Sequence, residues 1–389
     1  MNKISKIILF LQLFCFHVGY SQEGTDLNIS EIMPAEVDPE NIFMDEHYYN
    51  WCPSVIQGED GKYHMFYSRW KHGKRNISID SMEHIFDGFQ GWLKYSEIAY
   101  AVSDHLNGPY KYVSTVIKGD GDEKRWDQFT MHNPQIKKFG EYYYLYYISN
   151  SYDPNFKIDQ EISNDWGEWL KYNCTQKIGV LKAKSLSELI QGNFERPTEP
   201  LMQPDNKLTY EVANNPSVTQ GPDKKYYMIF KSRKPNVGNM TMWLAKSDHP
   251  DKGFQIISDV FTEADLACED PFLWYDSSRA TFYAAVKYFS HSKVLVPQFG
   301  ALALIKSKDA MHWEPAEQPL ISLREIRLKG KEKIKLEHLE RPFIVFDTSG
   351  NPISLVSAAT IGKPGKHAEN EVNNINNSFI ISFDLDTRE

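Results

Sequence analysis

Trp51-Cys52-Pro53-Ser54-Val55, running on through a turn into KYHMFYSRW at 62–70, is the first of five copies of one pattern in this chain. The others are His132-Asn133-Pro134-Gln135-Ile136 before EYYYLYYIS, Asn214-Asn215-Pro216-Ser217-Val218 before KYYMIFKSR, Glu269-Asp270-Pro271-Phe272-Leu273 before TFYAAVKYF, and Glu340-Arg341-Pro342-Phe343-Ile344 before PISLVSAA. The prolines stand at 53, 134, 216, 271 and 342, in steps of 81, 82, 55 and 71 residues. Each unit reads as two β-strands joined by a hairpin, because the residues are aromatic or β-branched and the turns (58–62, 221–225, 347–350) carry Gly, Asp and Lys. A later apolar segment ending in Ser or Asp, such as IAYAVSDHLNGPY and MWLAKSDHPDKGF, recurs in every unit and supplies one or two further strands. Four antiparallel strands repeated five times predict an all-β, five-bladed β-propeller. No sustained helical periodicity interrupts it.

The proline has a mechanical reason to recur. It cannot donate to a sheet ladder, so it belongs at a strand start, and it biases the residue before it toward an extended conformation. Since the innermost strand of each blade lines the channel, the residues before the five prolines should ring one mouth. Insertions at 71–97 and 150–177, rich in Trp, Tyr, Asp and Asn, lengthen the first two steps and read as a rim around that mouth.

The rest of the chain narrows the partners. Residues 1–22 have the layout of a secretory signal peptide: Lys3 and Lys6, an apolar run from Ile7 to Val18, then Gly19-Tyr20-Ser21. The fold is therefore expected as one domain over 23–389, exported to the periplasm or the medium. Leu13-Phe14 before Cys15 lacks the small residues of a lipidation site. Cys52, Cys174 and Cys268 are too few and too scattered for a disulfide framework, and no CxxC or HExxH pattern supports zinc. A net charge of -9 and a pI near 5.8 argue against nucleic acid. No later segment is long and apolar enough to span a bilayer. With 22 Tyr, 22 Phe and 9 Trp, the chain is rich in rings that build strands and also stack on sugars.

The five proline-led strands, with Glu269-Asp270-Pro271 in the fourth and Ser-Lys-Asp-Ala-Met-His-Trp at 307–313, resemble the five-bladed propeller glycoside hydrolases: family 43, its relatives in families 32, 62 and 68, and family 117. The resemblance spans the chain after the leader and implies an O-glycosyl hydrolase. Some relatives hold a calcium ion in the channel; otherwise no cofactor is implied. In family 43 an aspartate before the first proline is the general base, one before the third tunes and orients, and a glutamate two before the fourth is the general acid. The resemblance therefore assigns the acid to Glu269. Cys52 and Asn215 stand where the two aspartates are expected, so the base has to come from elsewhere.

Alternation along a strand should send Glu269 and Asp270 to opposite faces, which excludes them as a pair with each other. The base candidates are Asp127, six residues before Asn133, and Glu340 before the fifth proline, with Asp45 and Glu46 behind them. Asp270 is expected to bond substrate or support the site. His132, Asn133, Asn214 and Asn215 offer neutral donors and acceptors for hydroxyls, Arg69, Arg233, Lys231 and Lys287 offer charge, and Trp51 offers a stacking face. Three functions follow. The first is an inverting hydrolase of plant or algal oligo- or polysaccharide. The second is a glycoside phosphorylase like family 130, with Arg69, Arg233, His132 and Lys231 on phosphate. The third is a propeller that binds glycan without turning it over.

Overall fold

The computed structural model describes residues 26–45, 47–73, 84–156, 164–235, 240–262, 266–361 and 378–385; the signal-peptide reading and Glu46 lie outside them. Among the described residues twenty-one strands follow in chain order; nineteen sort into five blades and two form a separate hairpin. After β1 (Ile42–Phe43), blade one is β2 (Tyr48–Gln57), β3 (Tyr63–Lys71), β4 (Glu97–Ser103) and β5 (Lys111–Ile117). Blade two is β6 (His132–Phe139), β7 (Tyr142–Ser149) and β8 (Lys177–Ala183), its fourth strand reduced to a bridge between Ile178 and Met202. Blade three is β9 (Tyr210–Gln220), β10 (Tyr226–Arg233), β11 (Met240–Ser247) and β12 (Gln255–Val260). Blade four is β13 (Cys268–Asp276), β14 (Thr281–Tyr288), β15 (Leu302–Ser307) and β16 (Glu314–Ser322). A hairpin of β17 (Glu325–Arg327) and β18 (Lys333–Lys335) leads to blade five, which is β19 (His338–Phe346), β20 (Pro352–Thr360) and β21 (Ser378–Asp384).

The ring closes where β1 pairs with β21, so the outer strand of the last blade comes from the start of the chain. That closure hydrogen-bonds what would be an open sheet edge and joins the two ends of the sequence. The expected hairpin turns are present, with Gly58, Gly221 and Asp347 each donating a backbone N–H across the turn at 2.8, 2.8 and 2.9 Å.

Two expectations need correction. The residues before the prolines are not extended: Cys52, Asn133, Asn215, Asp270 and Arg341 have φ of 52, 53, 52, 58 and 56°. The pairing of each innermost strand with its neighbour shifts register at that point. Each innermost strand thus carries a bulge whose left-handed residue is Asn or Asp in three blades of five, the types that tolerate it best. Residues 164–173 also form a helix (Asn164–Asn173), preceded among the described residues by shorter helices or turns of helix at 29–32, 39–41, 85–87, 89–91 and 92–95 and followed by one at 186–190. The aromatic anchor of the 164–173 helix is Tyr172, which packs on Phe86, Phe129 and Tyr152 at 5.3, 5.1 and 4.9 Å. Tertiary packing outweighs the local pattern there.

Candidate functional site

The five left-handed residues meet on the channel axis and plug it. Cys52 donates its thiol to Asn133 Oδ1 (2.7 Å), Asn133 Nδ2 donates to Asn215 Oδ1 (2.6 Å), and Asn215 Nδ2 donates to Asp270 Oδ1 (2.9 Å). Arg341 reaches the same Asp270 oxygen from the other side at 2.9 Å. Every donor in this ring points toward Asp270, so the ring ends on one buried carboxyl. Burial, with Glu269 and Glu340 close by, pushes Asp270 up to about 6 even though Arg341 opposes the rise. Burial likewise lifts the Cys52 thiol to about 12, which removes it as a nucleophile at neutral pH. Asn133 and Asn215, expected as sugar ligands, spend their side chains on this ring.

One residue earlier in each strand stand Trp51, His132, Asn214, Glu269 and Glu340. Here the charges lie in an arc across blades three to five. Glu269 accepts from Lys231 at 2.5 Å and from Lys287 at 2.8 Å; Lys287 also binds Glu340 at 2.5 Å, and His338 binds Glu340 at 3.0 Å. Burial opposes ionisation of Glu269, yet the two lysines outweigh it and hold the carboxyl down to about 2. Glu340 is held well below its ordinary value by Lys287 and His338 against the same opposition. The side chains of Glu269 and Glu340 each keep 13% exposure and that of Lys231 keeps 20%, so the arc is open to a solute. The bulge is what aims Glu269 and Asp270 at the same neighbouring blade, on Lys231 and Asn215, contrary to strand alternation.

The other side of the mouth is covered. Phe89 packs edge-on against Trp51 and Trp70 at 5.1 and 5.0 Å, and Trp92 stacks on His132 at 4.7 Å. Trp51 is 3% exposed, so the expected stacking face is core under a lid supplied by the first insertion. His132 is bonded to Ser96 at 2.8 Å, and burial keeps its imidazole neutral. Asn214 donates to Gln176 at 3.1 Å.

Several expected residues are not brought to the mouth. Asp127 is fully buried and held by Arg125, Arg196 and the Tyr147 hydroxyl at 2.8, 2.8 and 3.2 Å, none of which lines the channel. Its carboxylate ties the loop before β6 to the residues around 196, which sequence distance conceals. Arg69 lies between the rings of Tyr48 and Tyr112 and binds Asp45 and Glu97 at 2.7 and 2.8 Å, a brace across blade one that also occupies Asp45. Arg233 binds Glu211 at 2.7 Å. The phosphate-binding set of Arg69, Arg233, His132 and Lys231 therefore does not assemble. His338 is the mouth residue that sequence reasoning missed, and Lys287, expected to offer charge to a ligand, is instead shared by Glu269 and Glu340; the pairing of Lys287 with Glu269 across β13 and β14 was the available signal.

No protein-family model matches the chain, and no curated protein matches it by sequence. Solved structures do match in fold. A family 117 glycoside hydrolase from Zobellia galactanivorans aligns at a TM-score of 0.58 and 15% identity over 91% of this chain and 89% of its own. An α-L-arabinofuranosidase from Lactobacillus brevis aligns at 0.53 and 10% identity over 90% and 95%. An endo-arabinase from Bacteroides thetaiotaomicron aligns at 0.51 and 9% over 92% and 99%. The chain thus has the five-bladed propeller fold found in glycoside hydrolases of families 117 and 43.

Proposed function

We propose that the protein is an exported glycoside hydrolase that works on plant or algal oligosaccharide at this mouth, with Glu269 as its general acid. The observation that carries the reading is the placement of Glu269. It sits at the fourth-blade mouth with residual exposure, and charged and hydrogen-bonding groups surround it. Glu269 is ionised in the free protein, so the acid role requires the entering sugar to displace Lys231 and shield the carboxyl, which raises its pKa. Among the described candidates Glu340 is the carboxylate left to partner it, since Asp127 and Asp45 are committed elsewhere. Both bonded oxygens touch one ammonium, so they lie no farther apart than the sum of 2.8 and 2.5 Å. That upper limit is compatible with the roughly 5 Å spacing of retaining enzymes and falls short of the about 6.5 to 9.5 Å that inversion uses. With this pair the expected stereochemistry is therefore retention.

Two observations favour a second reading, a glycan-binding propeller without turnover. Lys287 stands between the two carboxylates, and both family aspartate positions are built into the plug. The test is chromatography of products from a panel of arabinan and agar oligosaccharides, with wild type beside Glu269→Gln. Product from wild type and none from Glu269→Gln supports the hydrolase. Equal product from both refutes Glu269 as the acid, and saturable binding without product selects the second reading.

A further inference from the structure

Phe289 follows the end of β14, two residues beyond Lys287, and it is 51% exposed. It is not loose. Its N–H donates to the Ala267 carbonyl at 2.7 Å, and the adjoining backbone is fixed by Tyr288 N–H on Ala301 and Gly300 N–H on Tyr288 at 2.9 and 2.8 Å. Its ring meets Phe299 at 5.1 Å, and Phe299 is backed by His291 at 4.4 Å with the rings 8° apart. A phenyl ring held in water by this much structure keeps apolar area exposed that folding could have buried.

Its position gives that exposure a use. The Lys287 ammonium lies 5.2 Å from the ring centre, and the same ammonium is 2.8 Å from Glu269. The sum of those two separations is the farthest the ring centre can stand from the carboxylate oxygen, about the reach of one sugar residue and its glycosidic oxygen. A sugar is amphipathic in the way this edge requires, with an apolar ring face for the phenyl group and hydroxyls for Lys287, Glu269 and Glu340. Trp51 is buried beneath Phe89 and cannot supply such a face.

Resting on the carbohydrate reading above, we propose that Phe289, backed by Phe299 and His291, is the stacking platform of a second sugar subsite. It holds the saccharide unit next to the one at Glu269. The ligand is an oligosaccharide of at least two units, because the oxygen that Glu269 serves is glycosidic and joins the unit on Phe289 to the next. Phe289 is a positioning residue: it sets which saccharides are held and how long they must be.

The experiment is calorimetric titration of Glu269→Gln protein with mono-, di- and tetrasaccharides of the arabinan and agar series, repeated in the added backgrounds Phe289→Ala, Phe289→Tyr and Ile257→Ala. Ile257 is a control, 44% exposed on the outermost strand of blade three. Loss of the ring is expected to weaken tetrasaccharide binding about tenfold, equivalent to about 1.4 kcal/mol, while Phe289→Tyr stays within about twofold. Monosaccharide binding and the Ile257→Ala protein should show no change. In wild-type background the same loss should raise KM, with kcat retained. Unchanged tetrasaccharide affinity in Phe289→Ala, with binding otherwise intact, overturns the platform and leaves the carbohydrate reading standing. No saccharide bound by wild type or by Glu269→Gln overturns the reading and the platform together.

Discussion

Replacing Lys287 by Met tests the charge arc directly. The side chain is 10% exposed and bonds Glu269 and Glu340, so its loss leaves two buried carboxylates facing each other. At about 5 Å and an effective dielectric of about 20, two like charges repel by roughly 3 kcal/mol. Lys231 stays on Glu269 at 2.5 Å and His338 on Glu340 at 3.0 Å, so part of the compensation survives and roughly 3 kcal/mol is an upper figure. At about 2 °C or less per kcal/mol for a chain of this size, the melting midpoint at pH 8 should fall by several degrees, at most about 6 °C. The pH dependence gives a sharper test. In wild type both glutamates titrate below the unfolded value of about 4.3, so they add stability above that pH and lose it as pH falls toward about 2. In Lys287→Met the repulsion raises one carboxyl above the unfolded value, which reverses the sign: that group then loses stability as pH rises. The deficit of the variant should therefore be largest at pH 7 to 8 and smaller at pH 4, where the wild-type glutamates are still ionised and keep part of the advantage that they lose only toward pH 2. Thermal melts followed by circular dichroism from pH 4 to 8 measure it. A midpoint change below about 1 °C at pH 8, or a deficit of equal size at every pH, would refute the arc as the source of the buried charges' stability.

Asp127→Asn leaves Arg125 and Arg196 without their shared carboxylate, at an expected cost of about 3–5 kcal/mol. Turnover per folded molecule should persist, and a folded but inactive variant would return Asp127 to the reaction. With Glu269 held down to about 2, its protonated fraction falls tenfold per pH unit, so kcat/KM should decline steadily from pH 4 to 7. Lys231→Met should move that profile to higher pH, whereas a flat profile in wild type would remove Glu269 as the acid. Burial lifts all three described thiols, Cys52 and Cys174 to about 12 each and Cys268 as well, so Ellman's reagent should label none of them quickly at pH 8 and all of them in guanidinium. Rapid native labelling of Cys52 would show that the plug opens.

What the sequence determined by itself was the number and phase of the blades. A proline interrupts a sheet ladder locally, and five of them in matching context counted the innermost strands and placed the residues beside them at the channel, although each stands inside its strand, just after the bulge, and not at the expected strand start. The hairpin turns were legible for the same reason, because Gly, Asp and Lys act on the residues next to them. What only the tertiary structure decided was where each side chain spends its bonds. The left-handed φ at Cys52, Asn133, Asn215, Asp270 and Arg341 arises from closing five bulged strands around one axis, and it overrides the alternation that a lone strand would keep. The covering of Trp51 by Phe89, the sealing of Asp127 by Arg196, the pairing of β1 with β21 and the sharing of Lys287 by Glu269 and Glu340 all join residues distant in the chain. A repeat read along the sequence records what its units have in common. The chemistry at this mouth depends on how the units differ, and those differences meet only when the ring is closed.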